Sequence, residues 1–154
     1  MKKCACGLLS VIFLFSLIIL NGCSDFSFNP IGTWEYNEEI YYVDGKEVER
    51  VGKEDMLYES TKYIFEKSGT GYITVSDDPT LNFTYDYDDE KVNLHIKQPD
   101  GVNNSNGGTS DTEYKIINNE KDNSINLVRT EKYKSKDDSG KEVEVKVEYV
   151  LVKI

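Results

Sequence analysis

The sequence predicts an all-β domain, an antiparallel up-and-down barrel of about eight strands. Three observations carry that prediction. Apolar residues recur at period 2, with no helix-period stretch of useful length. Gly, Asp, Asn and Ser punctuate the chain about every 8 to 12 residues. Nearly every consecutive pair of candidate strands is joined by a short turn, and a meander that closes on itself leaves no edge unpaired. A sandwich is the alternative architecture, but it brings longer crossovers.

The elements follow in order. Residues 32–43 form the first strand, and Asp44-Gly45 turns it back, because both central positions of a two-residue hairpin favour positive φ. Residues 46–51 return. Residues 62–66 and 71–76 flank Ser68-Gly69-Thr70, a short glycine-containing turn. After Asp77-Asp78-Pro79, Leu81, Phe83, Tyr85 and Tyr87 share one strand face. Asp88-Asp89-Glu90 turns the chain into a strand whose inner face is Val92, Leu94 and Ile96. Residues 99–110, rich in Asn and Gly, are the longest loop. Residues 112–117 and 125–133 come next, and the last strand follows Ser139-Gly140. In it Val143, Val145, Val147, Tyr149 and Leu151 alternate with Glu142, Glu144, Lys146, Glu148 and Val150, an order that a helix would scatter around its circumference.

The amino terminus reads as an address. Met1-Lys2-Lys3 is a positive start, residues 8–20 are apolar apart from Ser10 and Ser16, and small residues follow. That is a secretory signal, too short for the roughly 20 apolar residues of a membrane-spanning helix. Leu20-Asn21-Gly22-Cys23 resembles the bacterial lipobox, which implies lipidation of Cys23. The expected organisation is a lipoprotein signal peptide over 1–22, a lipidated N-terminus and short tether over 23–30, and the barrel domain over 31–154. Removing the first 22 of 154 residues, Lys2 and Lys3 among them, leaves 132 residues with 16 basic against 28 acidic side chains, a net charge of −12. That length supports one core without disulfides or metals. Such a surface repels nucleic acid. The predicted location is a bacterial cell envelope, anchored by lipid at the outer membrane.

Catalytic chemistry is sparse. Nucleophilic catalysis needs a base beside an activated hydroxyl or thiol, and the one histidine, His95, is out of phase with Leu94 and Ile96. No nucleophile elbow, zinc-protease helix or phosphate-binding glycine loop occurs. Asp86, Asp88, Asp89 and Glu90 have the wrong spacing for a calcium loop and lack its glycine. The expectation is therefore no enzyme, no cofactor and no metal. Eleven tyrosines are more telling, since Tyr brings amphipathic area at low entropic cost to pockets and interfaces. Phe65, Phe83, Tyr85 and Tyr87 are the candidate inner-wall and ligand-contacting residues.

Ile31-Gly32-Thr33-Trp34 at the head of the first strand, Tyr63-Ile64-Phe65 before Ser68-Gly69-Thr70-Gly71, and Phe83-Thr84-Tyr85 before an acidic turn resemble the lipocalin-like lipoproteins of gut Bacteroidetes. The resemblance implies that Gly32 and Trp34 are structural at the closed end of the barrel. It also implies that a late-strand arginine, matched by Arg129, lies across the indole. Phe26 and Phe28 would then cap the barrel floor. For function it implies a small apolar ligand held by the barrel. The alternative is a filled barrel that engages an envelope protein through its acidic face or the 99–110 loop, as an inhibitor or assembly module would.

Overall fold

A computed structural model describes residues 27–56, 60–76, 78–97, 109–119 and 122–154. Cys23, Phe26 and the signal segment lie outside the described residues, as does most of the 99–110 loop.

Among the described residues nine strands follow in chain order: β1 (Gly32–Val43), β2 (Lys46–Gly52), β3 (Lys62–Phe65), β4 (Thr70–Val75), β5 (Asp78–Tyr87), β6 (Lys91–Lys97), β7 (Thr109–Asn119), β8 (Ser124–Lys136) and β9 (Glu142–Lys153). A 3-10 turn, Lys53–Asp55, follows β2. All neighbours pair antiparallel, and β1 also pairs with β9, which closes an eight-stranded barrel in the order β1-β3-β4-β5-β6-β7-β8-β9. The expected barrel class is thus the one found, and β2 is an extra strand outside the ring.

The turn chemistry accounts for the order. Asp44 and Gly45 take φ of 49° and 80°, and Gly69 and Gly140 take 78° and 83°, all in the left-handed region that hairpin turns require. Asp44 also donates its N–H to Glu144 O at 2.9 Å, and its Oδ1 accepts from Glu144 N–H at 3.1 Å. The β1–β2 turn is thereby tied to β9.

β1 organises the rest because its two halves have different neighbours. One edge runs along β9 from Trp34 to Val43, whereas the other meets β3 over Gly32–Glu35 and β2 over Glu38–Val43. A bulge between Tyr36 and Glu38 shifts the register. Beyond it the second halves of β1 and β8 and the first half of β9 pair with β2 in the order β2-β1-β9-β8. Val143, Val145 and Val147 pack there against Tyr41, Val43 and Tyr149 in a second small core.

The main core lies inside the barrel. Trp34, Val92, Leu94, Leu127 and Leu151 are fully buried, joined by Phe28, Phe65, Phe83 and Tyr114. One end is closed by the segment ahead of β1. Phe28 is buried, its ring 6.1 Å from Trp34 and 6.0 Å from Tyr87, as the floor-capping expectation required of it. Trp34 Nε1–H donates to Pro30 O at 2.8 Å, which gives the indole a partner inside the core. Gly32 sits at φ 129° against the Lys153 stem, where a Cβ would lie 3.1 Å from Cε. The cation over the indole differs from the expectation. Lys153 Nζ lies 5.6 Å from the Trp34 ring centre, while Arg129 lies 4.1 Å over Tyr149. Arg129 pairs with Tyr149, two residues farther from the floor than Leu151, so its guanidinium is out of reach of the indole.

Candidate functional site

The residues expected to touch a ligand sit in the lower half of the barrel. Phe65 and Phe83 are both 2% exposed, with rings 5.2 Å apart and tilted edge to face. Gly71 makes that contact possible, because a Cβ there would lie 2.4 Å from Phe83 Cζ and 2.3 Å from Ile64 O. Tyr85 packs 5.0 Å from Phe65 and donates its hydroxyl to Glu66 O at 2.6 Å. Tyr87 is half exposed at the floor against Phe28. The four are brought together as one aromatic layer, each ring packed on another.

A second aromatic layer lies above it, and period-2 phase alone assigned it no role. Tyr63 on β3 and Tyr114 on β7 stand four strands apart in an eight-membered ring, on opposite walls. Their ring centres are 6.0 Å apart, and Tyr114 OH donates to Tyr63 OH at 3.3 Å. Together they bridge the lumen, whose width in an eight-stranded barrel is about what side chains can fill. Burial pushes the Tyr114 phenol well above its ordinary value, with Tyr63 adding to the effect. Tyr36 is likewise raised by burial and by donating to Glu39 Oε1 at 2.7 Å. Both stay neutral and act as hydrogen-bonding groups. The signal for this layer was present in Tyr63, in phase with Phe65, and in Tyr114, in phase with Ile116.

The end of the barrel away from Phe28 carries the polar features. Tyr149 stacks on Tyr36 with centres 6.3 Å apart and donates to Glu131 Oε2 at 3.1 Å. Arg129 pairs with Glu131 at 3.1 Å, yet its Nε is buried with no hydrogen-bond partner. Tyr41 also donates to Glu39.

Beside Arg129 the barrel wall parts. β7 and β8 are paired only from Lys115↔Val128 to Asn119↔Ser124. Past that point β7 continues along β6 and β8 continues along β9, so residues 109–114 and 129–136 each keep one edge without a ladder partner among the described residues. A cleft of about 330 Å³ lies between them, lined by Asp111, Thr112, Glu113, Lys115, Val128, Arg129, Thr130 and Glu131. Sequence patterning hid this seam, because both strands continue their alternation through it.

His95 lies on the outer face of β6, between Asp86 and Asp111, with ring-nitrogen distances of 2.9 and 2.8 Å. Those two carboxylates occupy both nitrogens. A shallow outer groove of about 700 Å³ runs beside it over Tyr72, Asn82, Thr84 and Lys97. Among the described residues no group of three or more His, Cys, Asp or Glu side chains is placed to hold a metal ion. Asp88 instead accepts from the N–H groups of Glu90 and Lys91 at 2.8 and 2.9 Å, a turn-forming role.

No family model matches the chain, and no curated protein or solved structure matches it.

Proposed function

We propose that this chain is a lipid-anchored protein of the bacterial cell envelope whose filled barrel serves as an interaction module, engaging a protein partner at the end away from Phe28. The observation that carries the reading is the Tyr63–Tyr114 bridge. With the lumen crossed there and packed with Phe65, Phe83 and Leu94 beneath, recognition falls to the rim and the seam.

The anchor half of the proposal rests on the lipobox at Cys23. Five residue steps separate Cys23 from the buried Phe28, a reach of at most about 18 Å. A lipid on Cys23 would therefore hold the closed end against the membrane and turn the β7–β8 seam away from it. The two or three acyl chains of such an anchor contribute about 0.8 kcal/mol per buried methylene.

Native mass spectrometry of the full chain, isolated from its host membrane in detergent, tests both halves. The expected mass is that of residues 23–154 with lipid on Cys23 and no further small molecule, and Cys23→Ser should lose the lipid and leave the precursor uncleaved. A reproducible added mass of a few hundred daltons would overturn the filled-barrel reading and put a small apolar ligand inside. Lipid retained by Cys23→Ser would overturn the anchor.

A further inference from the structure

The seam leaves β8 with one edge paired to β9 and, over residues 129–136, one edge without a ladder partner among the described residues. Unpaired backbone N–H and C=O groups in a row are a template for another strand. Resting on the interaction reading above, we propose that this free edge takes an extended segment of the partner protein in which acidic and apolar residues alternate, adding it to the sheet as a strand.

The chemistry of the occupant follows from what the same strand already binds on its other side. β9 covers the paired edge of β8 with Glu142 and Glu144 opposite Lys136 and Lys134 on the outer face, and with Val143 and Val145 opposite Ser135 and Tyr133 on the inner face. The free edge presents the same side chains.

Charge favours the same occupant. On the β7 side of the seam Glu113 pairs with Lys91 at 2.9 Å, while Asp111 shares the His95 ring with Asp86, at 2.8 and 2.9 Å. On the β8 side Lys134 is paired with Glu142 at 2.7 Å, but Lys132 and Lys136 have no ion pair among the described residues. Lys146, directly opposite Lys132, is paired with Glu148 at 2.9 Å and lies over the Tyr42 ring, so Lys132 keeps its charge for an incoming carboxylate. Tyr133, about half exposed, offers apolar area on the inner face.

The same lysines argue against a second copy as the occupant. Two β8 edges paired antiparallel about Tyr133 would set Lys132 against Lys134 twice, in a chain of net charge −10. Lysines on an edge also guard it against indiscriminate pairing, and an alternating acidic segment is what passes that guard.

The test uses the full chain in detergent and a capped, fluorescently labelled octapeptide of alternating Glu and Val. Anisotropy should show saturable binding, and hydrogen exchange should slow at amides of residues 129–136 and not at β2. A Lys-Val octapeptide, a Glu-Val octapeptide with Pro at alternate valines, and the K132E/K136E variant should each bind at least tenfold more weakly. Both changed lysines are exposed, and an unchanged circular dichroism spectrum shows that the variant folds. No saturable binding up to millimolar peptide, equal binding of the Pro peptide, or association of the chain with itself through this edge would overturn strand addition. Such a failure leaves the filled-barrel reading standing, since that one falls only to an added mass in the lumen.

Discussion

Tyr114 reaches across the barrel and donates its hydroxyl to Tyr63 at 3.3 Å, from a wall four strands away. The two ends of that hydrogen bond are unequal, because Tyr114 is 2% exposed while Tyr63 is only partly buried. Tyr63→Phe would leave a buried hydroxyl without an acceptor and should cost about 1–3 kcal/mol. Tyr114→Phe leaves its orphan nearer to water and should cost less. Urea denaturation of both variants decides it, and the reverse ranking would count against the bridge.

Gly71 lets Phe83 lie against the wall of β4. A Cβ at that position meets backbone at 2.3 Å as well as the ring, so neither side can give way cheaply. Gly71→Ala should destabilise by about 1–3 kcal/mol through overpacking. The comparison is Ile73→Val, two residues on along the same face, which removes a methyl and should cost about 0.5–1.5 kcal/mol. A neutral Gly71→Ala would mean that the floor layer is loose.

Trp34 is the single tryptophan, so its fluorescence reports on the floor alone. Trp34→Ala should cost about 3–5 kcal/mol and Phe28→Ala about 3 kcal/mol. Phe28→Ala should also shift the indole emission to the red as water reaches the ring. A double-mutant cycle should return a coupling of about 0.5–1.5 kcal/mol. An unshifted spectrum in Phe28→Ala would detach the entering segment from the barrel floor.

His95 makes the outer face sensitive to pH. Its hydrogen bond to Asp111, then that to Asp86, raises its pKa above the ordinary value. Asn93, then His95, holds Asp86 below the usual carboxylate range. The raised histidine stabilises the fold fully below its unfolded pKa of about 6.5, and that contribution is lost as pH rises through the folded value. The lowered Asp86 contributes above its unfolded value and loses that contribution as pH falls through the folded one. His95→Ala should therefore lower the melting temperature most at about pH 5 to 6 and leave it unchanged at about pH 9. Titration of the one imidazole by NMR gives the folded pKa directly, and a value at or below about 6.5 contradicts the paired geometry.

The barrel was legible in the chain because hairpin order, glycine-bearing turns and period-2 alternation are local properties. β9 and the β5–β6 pair could be assigned residue by residue. What escaped was the cross-strand register and what closure sets side by side. Arg129 alternates with Leu127 and so points inward, but only the β8–β9 register shows that Tyr149, and not Trp34, lies beneath it. Tyr63 and Tyr114 likewise look like ordinary strand tyrosines until closure sets them opposite each other. The divergence of β7 from β8 leaves no trace in either strand's alternation, since each keeps a partner on its other side.

The route by which the chain enters the barrel sets how it bears tension. Residues 28–30 are fastened to the floor by Phe28, by the Trp34–Pro30 hydrogen bond and by Lys153 Nζ on Asn29 O at 3.1 Å. Immediately afterwards the backbone becomes β1, which is held on both edges. A pull on the amino terminus is thus directed along β1 and loads two ladders sideways at once, because their hydrogen bonds lie across the strand. The attachment point resists by shear, and the domain should withstand a pull from its amino terminus better than one that peels β2, which has one hydrogen-bonded neighbour among the described residues.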